Sequence, residues 1–340
     1  MASERSLEVL RVIVQDYVSS REPVGSKAIV ERHGFGVSAA TIRNDMAQLE
    51  EEELIAAPHT SSGRIPTDKG YRVFVDQLAD LQPLSAAQKQ AIETFLGSSL
   101  DLDQVLSRTG RLLSQLTGQV AMVQYPTLSR ATVRHIELVR LAGDRVLTVL
   151  ITDGGHVAQR VVDLPDDIDD DFLADLRARL NTAAAGVALQ AASDALGTIV
   201  DDYRQDRRAV VSAIAASLIE QVLEGKHERM VLAGTGNLAR TERDFPGSIH
   251  PVLDAIEEQV VLIKLFGEMA LDQNGVAVSI GRENPVTGLA EASVLTSGYS
   301  SSSGELARLG VLGPTRMDYS SNMAAVRAVA RYLSRLLGEG

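Results

Sequence analysis

The sequence contains no cysteine, so disulfide bonds, thiolate metal sites and thiol nucleophiles are excluded. It also lacks a long apolar run, since stretches such as Val146–Ile151 are far too short to cross a bilayer. The opening residues, Met-Ala-Ser-Glu-Arg-Ser, lack the apolar core of a secretory signal. We therefore expect a cytoplasmic protein with no membrane association. Its 340 residues, 45% hydrophobic and 23% charged, are enough for two or three globular domains.

Basic residues are in deficit. The chain has 33 Lys and Arg against 45 Asp and Glu, and the net charge of −12 by itself argues against a nucleic-acid partner. The acidity is unevenly placed, however. Residues 1–75 hold nine basic and eleven acidic side chains (9 − 11 = −2), so the rest of the chain carries −10. Net charge therefore neither supports nor excludes DNA binding by the N-terminal part.

Apolar periodicity predicts three helices in the first 55 residues. The first runs from near Ser3 to Val18, and the second is a short helix that starts near Ser26. Gly34 is placed to end the second helix in a left-handed cap, and Ser38 is a good N-cap for the third. The inward stripes are Leu10, Ile13, Val14 and Tyr17 of the first helix and Ile42, Met46 and Leu49 of the third.

A winged helix-turn-helix follows from these helices and the segment after them. The outer face of the third helix carries small or bifunctional polar side chains, which can pair with base edges in a major groove. Glu50–Glu53 would be repelled by phosphate, so only its N-terminal half can face DNA. Leu54–Ala57 and Arg64–Pro66 flank a Ser/Gly tip and predict a hairpin, the wing, before a helix capped by Thr67. We expect DNA contacts from Ser26, Lys27, Ser38, Thr41, Arg43, Asn44, Gln48, His59, Thr60, Ser61, Ser62, Gly63, Arg64, Lys69 and Arg72.

The rest of the chain predicts an α+β fold with an insertion. Strand patterns on both sides of a helical block favour one α+β domain at 119–165 and 244–340, interrupted by a mainly helical unit at 166–243. Residues 1–80 form the head and 81–118 a helical linker. The expected strands are Gln119–Tyr125, Thr132–Leu141, Arg145–Thr152, His156–Leu164, Met230–Ala233, Val276–Ile280, Ala292–Ser297 and Arg308–Leu312, and the helices outside the head and insertion are Ala87–Leu96, Leu102–Leu116, Val252–Phe266 and Ser320–Leu337.

Several segments resemble one known family. Gly25–Lys27, Ser38–Ile55 and His59–Tyr71 at one end, and Ile280–Asn284 and Gly310–Tyr319 at the other, are similar to the HrcA heat-inducible transcription repressors. The likeness covers nearly the whole chain in the same order. Many regulators share the first motif, but few share both ends.

The resemblance implies a homodimeric repressor without a cofactor. Its expected parts are a winged helix head, a GAF-like α+β domain and an inserted dimerising domain. Family members bind an inverted-repeat operator, the CIRCE element, upstream of chaperonin and DnaK-system operons, and a GroE-type chaperonin keeps them active until heat diverts it to unfolded clients. One departure is Glu52-Glu53, where a glycine is usual at the turn.

The sequence leaves three other interpretations to compare with a DNA-binding repressor. A three-helix bundle with a hairpin can also serve as a protein-interaction module. An enzyme is disfavoured: Gly234-Thr235-Gly236-Asn237 lacks the third glycine of a dinucleotide loop, and Asp166–Asp171 lacks the glycine of a calcium loop. The nearer alternative is a regulator that responds to a small molecule in the GAF-like domain. Its candidate residues, which could instead fix turns, are Glu283, Asn284 and Arg316.

Overall fold

The computed structural model describes residues 3–59, 62–78, 85–96, 102–126, 131–142, 144–153, 155–165, 168–224, 229–245, 247–272, 275–300 and 306–338. Helices and strands combine in an α+β fold, as the sequence predicts. No helix in these ranges is long and apolar enough to cross a membrane.

The head is a winged helix-turn-helix, which confirms the prediction. Its elements are α1 (Glu4–Ser20), α2 (Ser26–Arg32), α3 (Ala39–Glu51), β1 (Ile55–Ala56), β2 (Ile65–Pro66) and α4 (Asp68–Asp76). Leu10 and Ile13 of α1 pack with Ile42 and Leu49 of α3, and all four side chains are fully buried. The two strands pair antiparallel, with Ile55 opposite Pro66. The predicted stripes therefore form the core of the head.

Two helices lead from the head into the rest of the chain, α5 (Ala86–Leu96) and α6 (Leu102–Thr117). The sequence predicts both, but only as a linker. In the structure α6 buries Leu106 and Leu113 and packs against the central sheet described next. This helix is therefore part of a packing layer, because its apolar stripe needs a surface to cover it.

A five-stranded antiparallel sheet forms the centre of the GAF-like domain, in the order β7-β3-β10-β9-β8. Its strands are β3 (Val120–Gln124), β7 (Met230–Ala233), β8 (Val276–Ile280), β9 (Ala292–Ser300) and β10 (Leu306–Pro314). Successive residues point to opposite faces. Thus Val123 packs toward α6 and α13 (Tyr319–Gly338), whereas Met122 packs toward α10 (Gly236–Arg240), α11 (His250–Glu257) and α12 (Gln259–Glu268).

The insertion begins earlier and ends earlier than expected. The strands β4 (Val133–Ala142), β5 (Arg145–Thr152) and β6 (Val157–Asp163) form a separate antiparallel sheet. They pack on α7 (Asp170–Ala184), α8 (Leu189–Thr198) and α9 (Arg208–Glu224) around their own core. We call residues 131–224 the inserted unit. The sequence assigned β4–β6 to the GAF-like domain and 225–243 to the insertion, but β7 lies in the five-stranded sheet.

Some local expectations change as well. The left-handed residue between α2 and α3 is Gly36, with a φ of 66°, rather than Gly34. The helix predicted at Val252–Phe266 is divided at Glu258, whose ψ of 66° interrupts the helical path. By contrast, the expectation that the acidic run opens a helix is confirmed for its described part, because Asp169 caps α7 by accepting a hydrogen bond from the Phe172 N–H at 2.7 Å. Asp166 lies outside the described residues.

The head is joined to the GAF-like domain by charged contacts as well as by a shared core. Asp244 accepts hydrogen bonds from Arg21 of the head at 3.0 Å and from Arg316 at 3.1 Å. Arg316 also donates to the Tyr17 carbonyl at 3.2 Å. The Asp244 side chain is only 6% exposed and that of Arg316 11%, so this pair is a buried anchor between the two domains, with Arg21 attached to it at the surface. The ring of Tyr71 contacts that of Tyr319, with centroids 5.5 Å apart.

Candidate nucleic-acid interface

Helix α3 presents the predicted groove face to solvent. Ser38 precedes it, and its hydroxyl oxygen accepts the Thr41 N–H at 3.2 Å, as an N-cap does. Ile42 on the inner face is fully buried, whereas Arg43 and Asn44 on the outer face are exposed. Neither Arg43 nor Asn44 has a side-chain partner among the described residues. Their donors and acceptors are therefore free to meet base edges or phosphates.

An ion pair between a buried acid and a half-exposed arginine, which the sequence did not predict, fixes the position of α3. Asp45 is 5% exposed and accepts two hydrogen bonds from the Arg5 guanidinium of α1, at 2.8 and 3.0 Å. Hydrogen bonding to Asp45 raises the pKa of Arg5. A sequence signal was present, because Asp45 falls in the inward stripe between Ile42 and Leu49. An acid at such a position needs a partner.

The wing is short and lies against the start of α2. Val24, just before α2, and Arg64 exchange backbone hydrogen bonds of 2.9 and 2.8 Å. This antiparallel bridge adds a third segment beside the two-residue strands of the wing. At the tip, the His59 N–H donates to the Ser62 hydroxyl at 3.0 Å. Gly63 approaches Pro23 so closely that a Cβ would lie 2.6 Å from its carbonyl. Gly63 is thus required by packing, and Pro58 and His59 are exposed beside the tip.

The predicted phosphate-binding cations have partners within the protein. The Arg64 guanidinium donates to Glu50 at 2.9 Å and to the Ser62 carbonyl at 3.2 Å. Lys69 donates to the Glu52 carbonyl at the end of α3, at 2.8 Å. The pairing of Arg64 with Glu50 reduces the negative charge that α3 presents beside the wing.

Arg72 faces away from the candidate surface. Its guanidinium binds the Glu283 carboxylate and donates to the Val278 carbonyl at 2.7 Å. The hydrogen bond to Glu283 raises the pKa of Arg72. In this structure Arg72 connects the head to the GAF-like domain, and sequence spacing gave no sign of a partner 211 residues away.

The other predicted contact residues are placed as follows. Lys27 is exposed and lies 3.8 Å from Glu31, and Ser26 is the first residue of α2. Gln48 is half-buried and accepts a hydrogen bond from Ser6 of α1 at 3.3 Å, so it is partly engaged inside the head. Thr60 and Ser61 lie outside the described residues.

The residues proposed for an effector pocket all contact protein groups. The Asn284 side-chain amide donates to the carbonyls of Gly281, Leu289 and Ala292 at 2.8–3.1 Å. Glu283 binds Arg72 and also accepts the Ile280 N–H at 2.9 Å. Arg316 is held by Asp244 and Tyr17, as described above. These contacts favour a role in fixing turns and the head rather than in binding a small molecule.

Comparison with known proteins identifies the family. The family described as HrcA protein C terminal domain matches residues 103–323. Heat-inducible transcription repressors HrcA are 71% identical in Clavibacter michiganensis subsp. michiganensis and 65% in Leifsonia xyli subsp. xyli, each over 100% of both chains. The Arthrobacter sp. protein is 62% identical over 99% of this chain and 100% of its own. A crystal structure of a hypothetical protein has the same fold, with a TM-score of 0.71 at 24% identity over 100% of this chain and 99% of that one. The chain belongs to the HrcA family of heat-inducible transcription repressors.

Proposed function

We propose that this chain represses chaperonin and DnaK-system operons as a homodimer bound to the CIRCE inverted repeat, and that a GroE-type chaperonin keeps it active. The observation that carries the operator part is the outer face of α3. Arg43 and Asn44 are exposed there, and their side chains have no partner among the described residues, next to a short wing. Arg and Asn make the bidentate contacts that distinguish guanine and adenine in a major groove.

Placement of the acidic residues supports this orientation. Glu50 is paired with Arg64, and Glu53 lies 3.9 Å from Lys69, both at the C-terminal end of α3. The N-terminal half of α3 carries no acid on its exposed face, because Asp45 is buried against Arg5. Recognition helices contact bases with this half.

Dimer formation is supported by an uncovered apolar sheet face. Helices α7–α9 cover one face of β4–β6, and the other face exposes Val139, Val157 and Val161, which are 42–53% accessible. Val161 lies opposite Leu147 on β5, so the apolar side chains are adjacent. We infer that a second copy covers this face, and we propose the inserted unit, 131–224, as the dimerising domain, with 1–80 as the head and the remainder as the GAF-like domain. Two heads related by a two-fold axis suit an inverted repeat.

The chaperonin part of the proposal follows from membership of the family. Repression would fall with the folded fraction of the repressor, since only the folded dimer binds the operator. A chaperonin that returns unfolded chains to the folded state would then couple operator occupancy to the amount of unfolded client in the cell.

The test is fluorescence anisotropy of a labelled CIRCE duplex and a scrambled duplex, with and without chaperonin. We expect wild type to prefer the CIRCE duplex and chaperonin to raise the active fraction. Arg43→Ala and Asn44→Ala should each reduce that preference by roughly tenfold or more, because one bidentate base contact is worth about 1–3 kcal/mol. Arg11→Ala is the matched control, since Arg11 is exposed on α1 and pairs only with Glu8 among the described residues.

The outcomes separate the parts of the proposal. If Arg43→Ala prefers the CIRCE duplex as strongly as wild type does, the proposed recognition face is wrong. If chaperonin leaves the binding of wild type unchanged, only the chaperonin part of the proposal is refuted. For the dimer, Val161→Glu should give monomers in light scattering after size-exclusion chromatography, whereas Leu306→Glu should not. Leu306 is also an exposed apolar residue, 78% accessible, but it lies on β10 in the other sheet. A dimeric Val161→Glu protein would exclude the open sheet face as the interface.

A further inference from the structure

A polar cavity of about 410 Å³ lies in the GAF-like domain, away from the residues considered above. Its walls come from α6, from the turn that follows β7, and from α10. Arg111 of α6 and Arg240 at the end of α10 are both exposed, and both line this opening. The volume falls within the range of small-molecule sites, about 300–1,000 Å³.

The two arginines are the unusual feature of this cavity. Neither Arg111 nor Arg240 makes an ion pair or a side-chain hydrogen bond with any described residue. The chain has a net charge of −12, and many of its other arginines are paired with acids, as Arg21 and Arg316 are with Asp244. Two like charges at one opening repel each other, and an anion bound between them would remove that repulsion.

Hydrogen bonds hold the wall of the cavity behind the arginines. Asn237 donates to the Ser114 hydroxyl at 2.9 Å and to the Gln119 carbonyl at 3.1 Å, and Ser114 donates to the same carbonyl at 2.8 Å. Gly234 has a φ of 75°, and a Cβ there would lie 1.7 Å from the Ser114 oxygen. These contacts fix the turn, so the cavity is formed before any ligand arrives.

We propose that this cavity binds a small phosphorylated molecule, with its phosphoryl group held between Arg111 and Arg240. A phosphate monoester carries close to two negative charges at neutral pH, which two guanidinium groups balance. Each planar guanidinium can also donate two parallel hydrogen bonds to phosphate oxygens. Gln115 offers a further amide near the opening.

The position of the site gives binding a route to the head. Arg240 ends α10, and the next turn, Glu242–Asp244, carries the carboxylate that holds Arg21 and Arg316. A ligand that orders Arg240 therefore acts on the segment that anchors the head. The binding proposal itself does not depend on operator binding.

The test uses the full-length protein and inorganic phosphate as the probe, in titration calorimetry at constant ionic strength with chloride. We expect saturable binding of one phosphate per chain. Arg111→Gln and Arg240→Gln should each weaken it roughly tenfold or more, because a hydrogen bond to a charged group is worth about 1.5–3 kcal/mol. Arg111→Lys, which keeps the charge but loses the paired donors, should lie between wild type and Arg111→Gln.

Arg331→Gln is the control, since the Arg331 side chain is exposed on α13 and has no partner among the described residues. It should bind phosphate as wild type does, and no variant should unfold at a lower temperature than wild type without phosphate. Absence of saturable binding, or equal weakening in Arg331→Gln, would overturn the proposal. A third result would also overturn it: wild type binds no free phosphate, and Arg111→Gln binds a scrambled duplex more weakly than wild type in phosphate-free buffer. The arginines would then be contacts for the DNA backbone.

Discussion

Glu53 holds a left-handed backbone conformation, with a φ of 60°, at the turn from α3 into the wing. A side chain with a Cβ is strained there, and glycine is the residue that adopts this conformation freely. Among the described residues, the exposed side chain has one ion-pair partner, Lys69, at 3.9 Å. Glu53→Gly therefore removes strain and loses little contact.

The expected gain can be worked from these contributions. The left-handed conformation costs a non-glycine residue about 1–2 kcal/mol. Glycine's greater freedom in the unfolded chain offsets about 0.4–1 kcal/mol of that, and the exposed pair with Lys69 contributes at most about 0.5 kcal/mol. Glu53→Gly should therefore stabilise the head by roughly 0.5 kcal/mol, and raise the Tm of the transition that includes the head by about 2–4 °C.

The assay is scanning calorimetry together with hydrogen exchange of peptides from α3 and the wing, which reports on the head itself. Glu52→Gly is the matched control: it removes the same charge, but Glu52 has a φ of −82°. Glycine gains nothing at that position, so the control should lower stability or leave it unchanged. A lower Tm for Glu53→Gly, or equal shifts in both variants, would refute the strain argument.

Three further predictions concern the head. Asp45→Ala should lower the free energy of unfolding of the head by about 1.5–3 kcal/mol in urea, because Asp45 is buried in its ion pair with Arg5. The control Arg11→Ala should lower it by under about 1 kcal/mol, because its pair with Glu8 is exposed. Equal losses would contradict the role of Asp45. Gly63→Ala should displace the wing, since its Cβ would lie 2.6 Å from backbone, and should weaken binding to every duplex in gel shifts while α3 stays folded; unchanged affinity would exclude the wing from the interface. Lys69→Ala should lower the slope of log affinity against log salt by about one, whereas Arg72→Ala should leave the slope unchanged if Arg72 stays on Glu283.

The parts that the sequence predicted are those set by local rules. The Ser38 cap and the buried stripe of Ile42, Met46 and Leu49 depend on residues within two turns of one helix, and all are found in the structure. The turn at Glu52-Glu53, where the resemblance to the family implies a glycine, is the place where the backbone becomes left-handed. Such patterns depend on residues that are close together in the sequence, so they can be interpreted without knowing the fold.

The misplaced features depend on long-range pairing. The alternation along a strand does not say which strands lie beside it, so the pattern alone could not place β4–β6 in a sheet of their own. Arg72 has the charge and the position expected of a phosphate-binding residue, yet its guanidinium binds Glu283, which lies 211 residues further along the chain. Likewise, the cavity between Arg111 and Arg240 joins side chains 129 positions apart.

The anchor at Asp244 bears on the operator as well as on the protein. Its single carboxylate contacts Arg21 and Arg316, and so fixes the orientation of the head relative to the five-stranded sheet. In the proposed dimer, the distance between the two recognition helices is then set by the whole subunit rather than by a flexible tether. The separation of the two recognition helices would then have to match the separation of the two half-sites of the inverted repeat. Inserting base pairs into that spacer should lower affinity steeply for wild type and less steeply once Asp244 is replaced by alanine.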